Sequence, residues 1–189
     1  MPPKIKFTKE LVIKKGYEIV RKKGWNALST RALAAELGSS PIPIYSCFNS
    51  MQELEPEIIK KIVDILQDYM VREVTGDPWL DHGIGYVLFA AEERLLFLSI
   101  NDADHFELGR RYGQRIWDDC TNALADYPPF SGLSNEQIYN VQLKRWMFAH
   151  GFAFHACFAP KGTVGVEQII LHIREGSNAI LEGLKRQFQ

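Results

Sequence analysis

Cysteine is scarce in this 189-residue chain, and long apolar runs are missing altogether. Cys47, Cys120 and Cys157 are odd in number and widely spaced, a pattern that fits neither a disulfide framework nor a metal-binding pair. The apolar stretches at 86–91 and 95–100 are interrupted by Glu92, Glu93 and Arg94, and neither approaches the roughly 20 residues needed to cross a bilayer. The opening Met-Pro-Pro-Lys-Ile-Lys has no apolar h-region, so no signal peptide is expected. Excess charge of one sign is also lacking. The 22 Lys/Arg and 23 Asp/Glu leave a net −1, and with 46% apolar residues that excludes a disordered chain. Nine Pro and fourteen Gly follow no period, which excludes collagen-like and low-complexity proteins. The expectation is a reduced, cytoplasmic, soluble protein without membrane association, large enough for one sizeable core and a small satellite domain.

The near-neutral total conceals a split. Residues 1–50 carry nine Lys/Arg against three acids, a net +6, whereas residues 51–189 carry thirteen against twenty, a net −7. A basic end of this kind suits a polyanion, although a solvated basic helix face accounts for the same count. Apolar spacing predicts helices throughout: 8–23 with Thr8 as N-cap, 29–37 stopped by Gly38, a short segment at 41–48, and 51–73 opened by a Ser50/Glu53 capping box. Further helices are expected at 80–99, 102–108, 109–125, 135–158 capped by Ser134, and 164–188. No run alternates with period two, so the fold class expected is all-α.

Residues 29–48 form two short helices about a glycine turn. Ala34 lies where the helices meet, Gly38 makes the turn, and Ile44 points inward to join Leu33, Leu37, Cys47 and Phe48 in a small apolar cluster. That arrangement is a helix-turn-helix, able to project its second helix into a DNA major groove while the first crosses the backbone. A helix–glycine–helix also occurs in purely structural hairpins.

The surrounding residues add detail. Gly24, Thr30-Arg31, Leu33-Ala34, Leu37-Gly38, Ile44-Tyr45, Phe48 and Glu53-Leu54 resemble, in order and spacing, the N-terminal domain of the TetR (tetracycline repressor) family over residues 8–56. The resemblance implies a three-helix DNA-binding domain at 1–50 and a helical effector-binding and dimerisation domain at 51–189. It further implies that Thr30 and Arg31 meet phosphates or a base edge, and that Ser40, Pro41 and Pro43 start the recognition helix. Tyr45 would hydrogen-bond a phosphate, and Lys4 and Lys6 would form an arm along the backbone. Two departures stand out: Met51 occupies a position usually held by Lys, and neither Pro41 nor Pro43 can donate to a base. Readout would then rest on thymine methyls and DNA shape. The partner implied is palindromic double-stranded DNA, read by a homodimer with half-sites roughly 34–36 Å apart.

Dimer contacts are expected from 135–158 and from the final helix. An apolar pocket for a lipophilic or aromatic effector is expected among Tyr86, Phe89, Phe97, Trp117, Trp146, His150 and Phe154, within a body also holding Phe106, Tyr112, Phe148 and Phe152. The 51–73 helix would couple ligand to DNA by altering the separation of the reading heads, with repression as the default output. A DNA-binding dimer that lacks an effector and works through a protein partner stays open. No enzyme is expected. His82-Gly83-Ile84-Gly85 is only a fragment of a glycine pattern, the Glu92-Glu93 pair reads as solvated or paired with Arg94, and no Ser/His/Asp order stands out. His150 and His155 are off the spacing of a zinc pair, so neither metal nor cofactor is expected.

Overall fold

The computed structural model describes residues 7–160 and 162–188, and among them it contains nine α-helices, two short 3-10 turns and no strand. In chain order the helices are α1 (Lys9–Lys23), α2 (Thr30–Glu36), α3 (Ile42–Tyr45), α4 (Met51–Met70), α5 (Pro78–Glu92), α6 (Arg94–Asn101), α7 (Phe106–Ala123), α8 (Asn135–Phe158) and α9 (Val166–Phe188). The expected all-α class is the observed one. Three N-caps explain where helices begin. Thr8 accepts from the Leu11 amide at 3.2 Å, Ser29 from Ala32 at 3.2 Å, and Ser134 from Gln137 in a complete capping box.

Several boundaries differ from expectation. The 80–99 stretch is two helices, because Glu93 leaves helical geometry (φ −113°, ψ 46°) and caps α5 without any Gly or Pro to announce it. Glu93 is also buried rather than solvated, and Glu92 accepts from the Tyr69 hydroxyl at 2.7 Å. Conversely, 102–108 and 109–125 are not two helices. α7 runs through Gly109, whose missing side chain admits the Ile100 carbonyl, 2.7 Å from where a Cβ would stand. α4 ends at Met70 rather than at 73, and the third short segment is helical only over Ile42–Tyr45. At the start of α4, Ser50 accepts from Glu53 as expected, but the Glu53 carboxylate reaches the Asn49 amide (2.7 Å) instead of that of Ser50. Phe106, expected inside, is exposed.

The chain forms two compact units. The first comprises Met1–Asp64, described from residue 7, with Leu95–Tyr112. Its core is Val12, Ile19 and Val20 of α1, Leu33 of α2, Ile44 of α3 with Phe48 just after it, Ile58 and Ile62 of α4, and Leu96 and Phe97 of α6. Trp25 packs against His105 with ring centroids 4.0 Å apart, and Asp102 holds that histidine's Nδ1 at 2.7 Å.

The second unit comprises Ile65–Arg94 and Gly113–Gln189. α5 is its axis, buried continuously from Trp79 to Ala90, and packs on both α8 and α9, which also pack on each other. The Asp77 carboxylate caps α5 by accepting from Trp79 and Leu80 amides and from the Tyr127 hydroxyl. Asp81 ties down the preceding turn, accepting from the Thr75 amide, the Thr75 hydroxyl and the Gly76 amide. No helix among the described residues is long and apolar enough to cross a membrane.

Because Ile44 is 2% exposed and closes the small core between α2 and α3, Ile44→Ala is expected to cost about 2–5 kcal/mol. Urea unfolding followed by circular dichroism measures this directly.

Candidate nucleic-acid interface and ligand cavity

In the first unit, α2 and α3 flank an open surface concavity of about 550 Å³. Gly38, at φ 60°, makes the turn that sets their angle, a backbone state cheap only for glycine. Thr30, Arg31, Pro41 and Tyr45 line the concavity together with Ser39 and Ala35. The Thr30 and Tyr45 hydroxyls are 3.3 Å apart, so the two helices present their polar groups as one surface. Arg31 is exposed and makes no ion pair among the described residues. Ser40 is exposed beside them, its carbonyl accepting from the Ser39 hydroxyl at 2.9 Å. Pro41 is the N-cap of α3 and Pro43 its second residue, positions where a missing amide proton leaves no broken hydrogen bond. Lys4 and Lys6 lie outside the described residues.

Ile42, which was not among the expected contacts, is the most prominent side chain here. It opens α3 and is 76% exposed, an apolar group held in water. Its signal in the sequence is the Pro-Ile-Pro run, an apolar side chain set between two prolines at the start of a short helix.

In the second unit, a partly enclosed cavity of about 100 Å³ opens among α4, α5, α7 and α8. Of the expected pocket residues, Tyr86, Trp117 and Trp146 line it. His150 stands behind them, with its Nδ1 2.7 Å from the Tyr86 hydroxyl and its ring stacked on Trp146, and Phe154 packs edge-on against it. Phe89 is fully buried against Tyr69. Phe97 is a core residue of the other unit.

The polar residues of this cavity were not anticipated. Arg145, 6% exposed, reaches it from α8 with its guanidinium 4.5 Å above the Trp79 ring. Gly83 makes this possible, since a Cβ there would stand 2.7 Å from Nη1. Among the described residues the guanidinium has no carboxylate partner, and its buried Nε has no hydrogen bond. Burial pulls its pKa down to about 10, opposed in part by Cys120 and Tyr127. His82 also lines the cavity, its Nδ1 buried without a hydrogen-bond partner. Burial first, and then the Arg145 charge, push its pKa down to about 4, so the imidazole is neutral near pH 7. Burial likewise raises the Cys120 thiol to about 11, which makes it an inert apolar neighbour. Gln142 completes the set, its Oε1 accepting from the Thr121 hydroxyl at 3.3 Å. Arg145 did have a signal in the sequence: it is the one charge in the 138/141/145/149/152 stripe.

Comparison with known proteins agrees with this architecture. The structure is similar to a solved structure of a TetR family protein from Vibrio parahaemolyticus, with a TM-score of 0.52 and 16% identity. The match covers 89% of this chain and 97% of that one, and at this identity it establishes a shared fold. No family model matches the chain, and no curated protein matches it.

His82 gives a pH-dependent stability whose sign is fixed. It is held neutral in the fold but accepts a proton near its ordinary 6.5 when unfolded, so its contribution is whole above that pH and lost as pH falls toward about 4. Between about pH 7 and pH 5 the loss expected from this residue is about 2 kcal/mol. Denaturant titrations at both pH values check it, with His82→Gln expected to flatten the difference.

Proposed function

We propose that this chain is a sequence-specific DNA-binding transcriptional regulator of the TetR type, acting as a cytoplasmic homodimer whose output is set by a small molecule. The observation that carries the reading is the α2–turn–α3 surface: Arg31, Thr30 and Tyr45 stand where a phosphate backbone would pass, and Ser40, Pro41, Ile42 and Pro43 stand at its leading edge. The net +6 of residues 1–50 supplies the long-range attraction. The fold shared with a TetR family protein supports the same reading. In this division, residues 1–50 with the Lys4/Lys6 arm read DNA, and residues 51–189 hold the effector and dimer surfaces.

Phosphate contacts give affinity and register; the leading edge gives sequence choice. With prolines at 41 and 43, that edge offers no backbone donors there, and exposed Ile42 suits a thymine methyl. Dimerisation through α8 and α9 is supported by the apolar side chains they leave in water, Tyr139, Met147 and Phe158 on one and Val166 and Leu171 on the other. A concavity lined by Met147, Phe152 and His172 lies between these helices. An effector-controlled repressor is favoured over a regulator acting only through a protein partner, because the second unit holds a cavity lined by the buried polar residues Arg145, His82 and Gln142. Nothing on these surfaces calls for an enzyme.

The reading is tested by selecting bound genomic fragments at low and at moderate salt. A regulator recovers one palindromic site at both; uniform binding that vanishes with salt would contradict sequence-specific recognition. Arg31→Ala is expected to weaken binding about equally on all sequences and to lower the salt slope by about 1. Ile42→Ala should instead relax preference at a single A·T position, read by competition with point-substituted sites. In light scattering, Met147→Glu is expected to halve the molecular mass.

A further inference from the structure

The buried guanidinium of α8 remains to be explained. Arg145 sits in a cavity wall, 6% exposed, with no carboxylate partner and no hydrogen bond among the described residues. The two acids at the head of α5 are committed elsewhere: Asp77 to the Trp79 and Leu80 amides and Tyr127, and Asp81 to Thr75 and Gly76. The π face of Trp79 offsets part of the charge, but a ring face cannot accept five N–H bonds. Beside it, His82 keeps a buried Nδ1 without a partner, and the Gln142 amide carries an N–H₂ donor. Arg145, His82 and Gln142 line one cavity together with the aromatic rings of Tyr86, Trp117 and Trp146.

We propose that this cavity binds a small organic carboxylate, its oxygens held by the Arg145 guanidinium and the Gln142 amide, and its apolar body packed on Tyr86, Trp117 and Trp146. One positive charge suits a monoanion, and the planar fork of arginine suits a carboxylate. The cavity's volume, about 100 Å³, sets the size to a few carbons or one ring rather than a large lipophile. Gly83 belongs to the site, since any side chain there would displace Nη1. The proposal rests on the effector-controlled reading for its biological meaning, but its chemistry does not require DNA.

The experiment is calorimetric and thermal-shift titration of the full chain, without DNA, using three acids and their neutral amides: butanoate with butanamide, benzoate with benzamide, and phenylacetate with phenylacetamide. At least one acid is expected to bind saturably, at least tenfold more tightly than its amide, and to raise the melting temperature. Arg145→Met should abolish that preference, and Arg145→Lys should weaken binding about tenfold while restoring part of it. Gly83→Ala should weaken binding by displacing the guanidinium, which guards against a global effect of the Arg145 changes. Equal binding of acid and amide, no binding of any acid at 10 mM, or undiminished binding by Arg145→Met would each overturn the proposal. Fragment selection judges the DNA reading independently, so carboxylate binding by a chain that selects no site would contradict that reading alone.

Discussion

Removing a guanidinium from water costs several kcal/mol even after relaxation, and folded chains normally recover that cost with a carboxylate. In this protein the second unit is built around a guanidinium for which that recovery is incomplete. α5 is buried from Trp79 to Ala90, so the polar groups it carries there must find partners inside. Asp77 and Asp81 find them in the turn before the helix and in Tyr127. His82 does not, nor does Arg145 of α8, and both line the same cavity. Burial first, and then the positive charge, keep His82 neutral, Gly83 keeps the space open, and Trp79 lies beneath the guanidinium.

This arrangement differs in kind from the proposed reading surface of the first unit. There the side chains proposed to meet DNA are exposed and their cost to the fold is small, because Ile44, Leu33 and Phe48 bury what the short helices need buried. A surface of this sort depends on a rigid turn and on side chains that water already solvates. A buried polar cavity depends on a fold stable enough to tolerate groups that oppose it. The two proposed sites therefore lie at opposite ends of the stability scale, one on the cheap exterior and one in the expensive interior.

How much of this was legible in the sequence follows from the range of the interactions concerned. Thr8, Ser29 and Ser134 cap helices through bonds spanning three residues, and their patterns were readable. Of the expected cluster Leu33, Leu37, Ile44, Cys47 and Phe48, the first, third and last are buried and were readable for the same reason, being confined to one short motif, whereas Leu37 and Cys47 stay half-buried. The break at Glu93 was not, since no Gly or Pro marks it. Nor was the return of Leu95–Tyr112 to the first unit, a pairing with residues more than 30 positions away. Arg145 was visible as a charge in an apolar stripe, but its meaning depends on an absence in space. Whether an acid reaches it is decided by where Asp77 and Asp81 spend their oxygens, about 65 residues earlier in the chain. Apolar and aromatic side chains dominate the sequence of this region, so a lipophilic ligand is the natural expectation from it, whereas the proposed carboxylate rests on one charged side chain whose surroundings only the fold assembles.

The central claim is that Arg145 is held at the expense of the fold. The direct measurement is the unfolding free energy of Arg145→Met against the unaltered chain, in urea and without added carboxylate. An uncompensated charge replaced by an apolar side chain of similar length should leave the protein more stable by about 1–4 kcal/mol. A loss of about 3–5 kcal/mol, as when one partner of a buried ion pair is removed, would show that the guanidinium is already satisfied and would contradict the account.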